Sequence, residues 1–236
     1  MKPEYLAWDS NFFNCQVGRL PVKPAELIDE EILNDFDLVY LIIENEITPA
    51  QKKFFQERAF FADEKLTYQK KITTLIKPDD NIFSWRSDQK VNDSVLEIGI
   101  ESGEFSRFKT DPSISNEKFV ELYKTWIINS ANRTIAEELY YFEEASQIAG
   151  LITLGIKNGN PDIGILSVHK NFRGRGIARK LISAAEYWAQ NVKGYDQIQV
   201  VTQGANIVAC RAYEKCGFCV VKREYIFHWW KNKQKL

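Results

Sequence analysis

Residues 163–182 read Ile-Gly-Ile-Leu-Ser-Val-His-Lys-Asn-Phe-Arg-Gly-Arg-Gly-Ile-Ala-Arg-Lys-Leu-Ile, an apolar run joined to an amphipathic one through a turn that holds Gly174 and Gly176. Glycine reaches backbone angles that other residues avoid, so such a turn can aim several N–H groups at one point. A helix opening there adds the positive end of its dipole to the same point. The chemistry on offer is anion binding, and a pyrophosphate fits.

Other patterns with chemical potential are weaker. Gly174-x-Gly176-x-x-Arg179 lacks the third glycine of a dinucleotide fingerprint and follows a hairpin, which argues against a Rossmann enzyme. Cys216-Gly-Phe-Cys219 has the C-x-x-C spacing, yet it straddles a helix end and a strand start, whereas a redox pair opens a helix. A zinc site from Cys210, Cys216, Cys219 and His228 would need a helix, its end and a strand to converge, and the paired knuckle is absent, so no metal is expected. His169, where a strand enters the loop, can help deprotonate an amine or simply be a hydrogen-bonded loop residue.

The elements that must position the turn follow from hydrophobic period. A helix is expected from near Ser115 or Asn116, with Phe119, Leu122, Tyr123, Trp126 and Ile127 on one stripe. Residues 139–144 and 148–156 form an antiparallel hairpin, and 163–168 is a third strand. Ile177, Leu181, Ala184, Trp188 and Val192 then recur at helical spacing up to Gly194. Ile198, Val200 and Thr202 alternate as a strand, residues 206–216 form a short helix ending at Gly217, and a long aromatic strand from Phe218 to about Trp230 closes the chain. The expected class is α/β (α+β), a mixed central sheet flanked by helices.

Residues 1–78 read as a small N-terminal αβ lobe with strands at 37–44 and 65–76 and a helix at 49–59, and residues 90–236 as the main domain. Pro78 to Asp93 is the linker candidate. Phe55-Gln-Glu-Arg-Ala-Phe60 loosely echoes Tyr213-Glu-Lys-Cys-Gly-Phe218, which suggests a degenerate half-repeat. The Phe227-His-Trp-Trp230 segment reads as a packed or dimer-edge strand.

Lysine and arginine number 31 against 32 acids, which disfavours a general nucleic-acid binder. From Lys170 onward there are 13 basic and four acidic residues, so the basic end coincides with the turn, as a small polyanion or a solvated face would require. No run of about 18 apolar residues exists to cross a membrane, and Met-Lys-Pro-Glu-Tyr-Leu-Ala-Trp-Asp lacks the apolar core of a signal peptide. Four cysteines, at 15, 210, 216 and 219, are too few for a disulfide framework. A cytoplasmic protein with reduced thiols is expected.

Arg173, Gly176 and Ala178 fit R/Q-x-x-G-x-G/A, and Asn206 and Tyr213 follow seven residues apart on the next helix. In these features the chain resembles the GNAT N-acetyltransferases, whose fold and acetyl-CoA chemistry the resemblance implies. Leu166, Ser167, Val168, Arg173, Gly174, Arg175, Gly176, Ile177, Ala178 and Asn206 would then hold acetyl-CoA. A bulge near Ser167 would splay two parallel strands and leave backbone groups for the pantetheine arm, with the Val168 N–H facing the developing oxyanion. Tyr213 would protonate the leaving thiolate, since a phenol of pKa about 10 can pass a proton to a thiolate whose acid has pKa about 8.5 without a large penalty.

Leu6-Ala-Trp8-Asp-Ser-Asn-Phe12-Phe13, Gly103-Glu-Phe-Ser106-Arg107-Phe108 and Thr202-Gln203 are similar to segments of the dTDP-fucosamine acetyltransferases. That resemblance implies a nucleotide-linked amino sugar as acceptor, held by Ser106, Arg107 and Phe108, with arginine suited to a diphosphate. It also implies a homodimer, and places a carboxylate near Glu64 that can act as base, with Glu143 and Glu144 as rivals. The same fold would equally serve a protein N-terminus, a polyamine or another small amine, or a non-catalytic module that binds CoA or a nucleotide.

Overall fold

The computed structural model describes residues 2–23, 26, 28–44, 46–74 and 76–232. In chain order its elements are β1 (Glu4–Tyr5), α1 (Ala7–Phe13), β2 (Val17–Val22), β3 (Leu38–Glu44), α2 (Pro49–Arg58), β4 (Phe60–Lys71), β5 (Ile82–Ser84), α3 (Asp93–Glu101), α4 (Arg107–Thr110), α5 (Asn116–Ala131), β6 (Glu138–Glu144), β7 (Gln147–Lys157), β8 (Asn160–Val168), α6 (Ile177–Tyr187), β9 (Gln197–Gln203), α7 (Ile207–Lys215) and β10 (Cys219–Trp230). Among the described residues the strands form one mixed sheet in the order β1-β2-β3-β10-β4-β9-β8-β7-β6-β5.

Alternation along the strands sends side chains to cores on both faces. Leu66, Tyr68, Ile152, Ile163, Ile198 and Val200 pack beneath α6 and α7, which supply Ile177, Leu181, Ala185 and Tyr213. Leu139 and Leu151 pack under α3 and α5. In the N-terminal strands, Leu38 and Tyr40 meet Phe108, Phe119 and Tyr123 from α4 and α5. Their neighbours Val39, Leu41 and Ile43 turn to the other face and meet Phe55 of α2. Thr48, Asn92 and Ser115 accept N–H bonds at the starts of α2, α3 and α5, which fixes where those helices begin.

The N-terminal lobe and the main domain share this sheet rather than sitting side by side. β4 lies between β9 and β10, antiparallel to both, and β10 lies between β3 and β4. β3–α2–β4 and β9–α7–β10 are thus two strand–helix–strand units interleaved, with β2 parallel to β3 and β8 parallel to β9 at the flanks. The echoing segments Phe55–Phe60 and Tyr213–Phe218 sit at matching places, where each helix hands over to its second strand.

Three boundaries differ from the sequence expectation. β4 begins at Phe60 and not Lys65, because a bulge opposite Ile226 and Phe227 lets Phe61 and Asp63 join the ladder. The expected linker contains β5, which pairs with β6, and Trp85, which is 1% exposed and whose carbonyl accepts from Arg133 Nη2 at 2.7 Å. The aromatic strand β10 is central, with Phe227 and Trp229 buried, so it offers no dimer edge.

Candidate active site

β8 and β9 run parallel but pair only at Asp162–Gln199 and Ile163–Val200, and beyond that they part. The irregularity behind this lies earlier than Ser167. The β7–β8 register passes from Ile152–Leu166 to Leu154–Ile163, so Gly164 and Ile165 together face Thr153. Thr153 Oγ1 accepts the Ile165 N–H at 2.8 Å and so satisfies the donor that the bulge leaves over. A Cβ on residue 164 would meet that oxygen at 2.8 Å, so the bulge needs glycine there. His169 N donates to Ala149 O at 2.9 Å, and antiparallel ladders alternate sides. The N–H groups of Leu166 and Val168 therefore point away from β7, into the space that β9 has vacated.

Past β8, Gly174 and Gly176 stand at φ +80° and +77° with no atom within 4 Å of a Cβ position, so conformation rather than space requires glycine. Gly176 leads into α6, whose first N–H groups receive no side-chain cap. These unused donors and the α6 dipole border a cavity of about 420 Å³. Leu166, Ser167, Val168, Arg173, Gly174, Gly176, Ile177, Ala178, Asn206 and Tyr213 line it, together with Glu101 and Phe105 from the end of α3. Arg175 does not: its guanidinium bonds Glu144 at 2.9 Å and lies over the Phe172 ring. That contact also engages one of the two rival base candidates.

Arg173 Nε donates to Val168 O at 2.9 Å and its Nη2 to Glu101 at 3.0 Å, which ties the glycine turn to α3. Glu97, Glu101 and His169 lie close together, but Lys170 approaches both carboxylates and Arg173 holds one of them. His169 Nδ1 accepts from Asn171 N, as a loop-bracing histidine does. The cysteines are unpaired thiols.

Asn206 begins α7 as its cap, Oδ1 accepting from Ala209 N at 3.1 Å, and its side chain borders the cavity. Tyr213, two turns on, is 4% exposed and packed against Tyr68 and Phe218. Burial, with Cys210 and Cys216 nearby, pushes its phenol pKa above the ordinary value, so it stays protonated but is a weaker acid than a solvated phenol.

A second wall stands on the α5 side of the sheet. Phe108 is buried against Phe13 and Trp126. Arg107 places its Cζ 3.9 Å from the Tyr40 ring centre and 4.6 Å from that of Phe108, and among the described residues its guanidinium makes no hydrogen bond or ion pair. Ser106 Oγ is buried beside the Tyr123 phenol and makes no well-formed hydrogen bond. The far end of this loop is anchored: Asp111 accepts from Trp230 Nε1 at 2.9 Å and is bonded to His228 Nδ1 at 2.6 Å. Burial and the Arg107 charge push the His228 pKa down to about 4 even against that carboxylate.

The two acids of Ala62-Asp-Glu-Lys65 separate. Glu64 shares the face of Leu66 and Tyr68 and is ion-paired with Arg223. Neither Glu64 nor Asp63 lines the cavity itself. Asp63 points to the α5 side, 8% exposed, where burial pushes its carboxyl up to about 7 against the pull of Arg107 and Lys65. Sequence reasoning passed over Asp63, although two adjacent acids in a strand must face opposite ways.

Residues 103–218 match the model of the acetyltransferase (GNAT) family. The chain has the GNAT fold, and the family match spans 116 of its 236 residues, just under half. Its fold is similar to a GCN5-related N-acetyltransferase from Kribbella flavida, with TM-score 0.54 and 12% identity over 91% of this chain and 81% of that one. It is also similar to one from Sphaerobacter thermophilus, with TM-score 0.51 and 16% identity over 84% of this chain and 64% of that one. Among proteins with assigned roles, the spore coat polysaccharide biosynthesis protein SpsD of Bacillus subtilis (strain 168) is 25% identical over 142 residues, 60% of this chain and 48% of that protein. N-alpha-acetyltransferase 30 of Schizosaccharomyces pombe (strain 972 / ATCC 24843) is 38% identical over 66 residues, 28% of this chain and 43% of that protein. The chain thus spans about half the length of the curated relatives it matches. None of the described helices is long and apolar enough to cross a membrane.

Proposed function

We propose that this GNAT-fold protein transfers the acetyl group of acetyl-CoA to the amino group of a nucleotide-linked, dTDP-type amino-dideoxy sugar destined for a bacterial surface polysaccharide. The donor's pyrophosphate lies on the Gly174–Gly176 turn and the uncapped start of α6, and its pantetheine amides pair with the Leu166 and Val168 backbone where β9 has parted from β8. The amine lone pair attacks the thioester carbon, the Val168 N–H stabilises the oxyanion, and the C–S bond breaks as Tyr213 gives its proton to the departing sulfur. No covalent enzyme intermediate forms, so the cysteines have no part in turnover.

The observation that carries the acceptor assignment is Arg107. A half-buried guanidinium placed over two aromatic rings, with no ion pair among the described residues, suits the diphosphate of a nucleotide sugar. The likeness to a polysaccharide biosynthesis protein supports the same reading. The likeness to an N-alpha-acetyltransferase supports a peptide N-terminus as the second reading. A panel of dTDP- and UDP-amino sugars, polyamines and peptides, incubated with acetyl-CoA and read by mass, decides: a gain of one acetyl on a nucleotide sugar is expected, and acetylation confined to peptides overturns it. Sedimentation tests the accompanying homodimer, whose contact would not be edge pairing through β10.

A further inference from the structure

We propose that Asp63, rather than Glu64, accepts the proton of the acceptor amine. This rests on the reading above that an amine attacks acetyl-CoA in the cleft. The β4–β9 ladder ends at Lys65–Gln203, followed by a bond from Gly204 N to Glu64 O at 2.7 Å. Asp63 is the next residue of β4, so it stands at the open end of the cleft, where β9 no longer fills the sheet. Strands lie about 4.8 Å apart, and with β9 gone the gap from β8 to β4 is about 10 Å or more, room for an amine-bearing group between Val168 and Asp63.

Asp63 faces the same side as the acceptor wall. Arg107 from α4 and Tyr123 from α5 act on it electrostatically across that wall. Lys65 and Glu64 flank it on β4, Ile226 lies across from it on β10, and Glu224 of β10 is bonded to Lys65 at 2.6 Å. Among the described residues its carboxylate is bonded to no side chain. Asp63, Arg107, Ser106 and Tyr123 converge from three elements; among the described residues the Arg107 guanidinium and the Ser106 Oγ make no well-formed hydrogen bond, and Asp63 is met only by the neighbouring Glu64 N–H, so a polar ligand has partners to find there. A substrate with an ammonium near Asp63 and an anion on Arg107 uses both groups. Glu64 has spent its charge on Arg223 and points to the other face.

The step balances simply. Asp63 takes one proton from the ammonium, the freed lone pair forms the C–N bond, and the C–S bond breaks toward sulfur as Tyr213 protonates the thiolate; the second proton, lost by the nitrogen as the amide forms, returns to the Tyr213 phenolate, so one proton in all is released, from Asp63. The carboxyl held near 7 by burial is suited to this exchange at neutral pH.

The test compares wild type, Asp63→Asn and Glu64→Gln with whichever amine of the panel the wild type acetylates, and measures kcat/KM against pH and acetyl-CoA affinity separately. Wild-type kcat/KM should rise with pH through about 7. Asp63→Asn should lose that limb and about 100- to 10,000-fold in rate, with acetyl-CoA affinity unchanged, while Glu64→Gln keeps the limb. An unaltered limb in Asp63→Asn, or its loss in Glu64→Gln, overturns the proposal. If the wild type acetylates no amine, it is the acceptor reading that fails. Infrared difference titration of wild type against Asp63→Asn then still tests Asp63: a carboxyl titrating near neutrality is expected, and one ionised throughout the ordinary carboxylate range overturns it.

Discussion

The parallel pairs β2–β3 and β8–β9 occupy matching places in the interleaved sheet and do opposite things. β2 and β3 stay paired from Val17–Leu38 to Val22–Ile43, whereas β8 and β9 pair at two positions and then diverge. β2 is followed by Lys23 and a glycine-free stretch as far as β3, while β8 is followed by Gly174 and Gly176. The hollow at the end of β2 is about 200 Å³ and includes Glu26 and Asp29, acids that repel a phosphate. A shared strand–helix–strand plan thus becomes a binding cleft through one bulge and two glycines, and stays a piece of scaffold without them.

That contrast can be broken most sharply at the two helices. Tyr213→Phe should lower kcat by about 100- to 10,000-fold with little change in acetyl-CoA affinity, by steady-state kinetics and calorimetry. The residue at the matching place on α2, Phe55, stacks on Phe227 at 4.2 Å. Phe55→Ala should leave kcat near wild type and cost about 3–5 kcal/mol of stability by denaturant unfolding. A catalytic defect there that exceeds its stability loss would mean the N-terminal unit takes part in the chemistry.

The cleft itself offers smaller effects. Gly176→Ala must adopt φ near +77°, a penalty of about 1–2 kcal/mol that should appear as about a tenfold rise in acetyl-CoA Kd. Thr153→Val takes the acceptor from the half-buried Ile165 N–H and should cost about 0.5–1.5 kcal/mol, with a weaker affinity for acetyl-CoA if the bulge relaxes. Least of all, Asp63→Asn should raise Tm more at pH 8 than in mild acid. A carboxyl held at about 7 binds an extra proton in the folded state, so wild-type stability falls as pH climbs from the ordinary carboxylate range to about 7, and the amide escapes that loss.

Local signals were readable and non-local ones were not. The cradle could be read because positive φ demands glycine, and α5 because Ser115 and its apolar stripe announce a start and a face. The mixed sheet with helices on both faces followed from the succession of periods. The bulge, however, depends on Thr153 standing opposite Gly164, and nothing near residue 164 reports that. Arg175 sits inside the turn at an unconstrained position of the pattern, and Glu144 at the end of β6 claims its side chain. Asp63 and Glu64 look alike in sequence, and only the pairing of β4 decides which one meets Arg107. The aromatic end of β10 reads as either a packed strand or an edge until β3 and β4 are seen on either side of it.

The position of β4 also bears on how the chain is made. Leu66 pairs with Thr202 on one side and Arg223 on the other, both of which leave the ribosome long after it does. For most of synthesis this strand emerges with two unsatisfied edges, and the acetyltransferase half cannot complete its sheet until the N-terminal segment threads into it. We expect the nascent protein to depend on chaperones that shield such edges, and a chain cut between β4 and β5 to be rescued only when both fragments are present together.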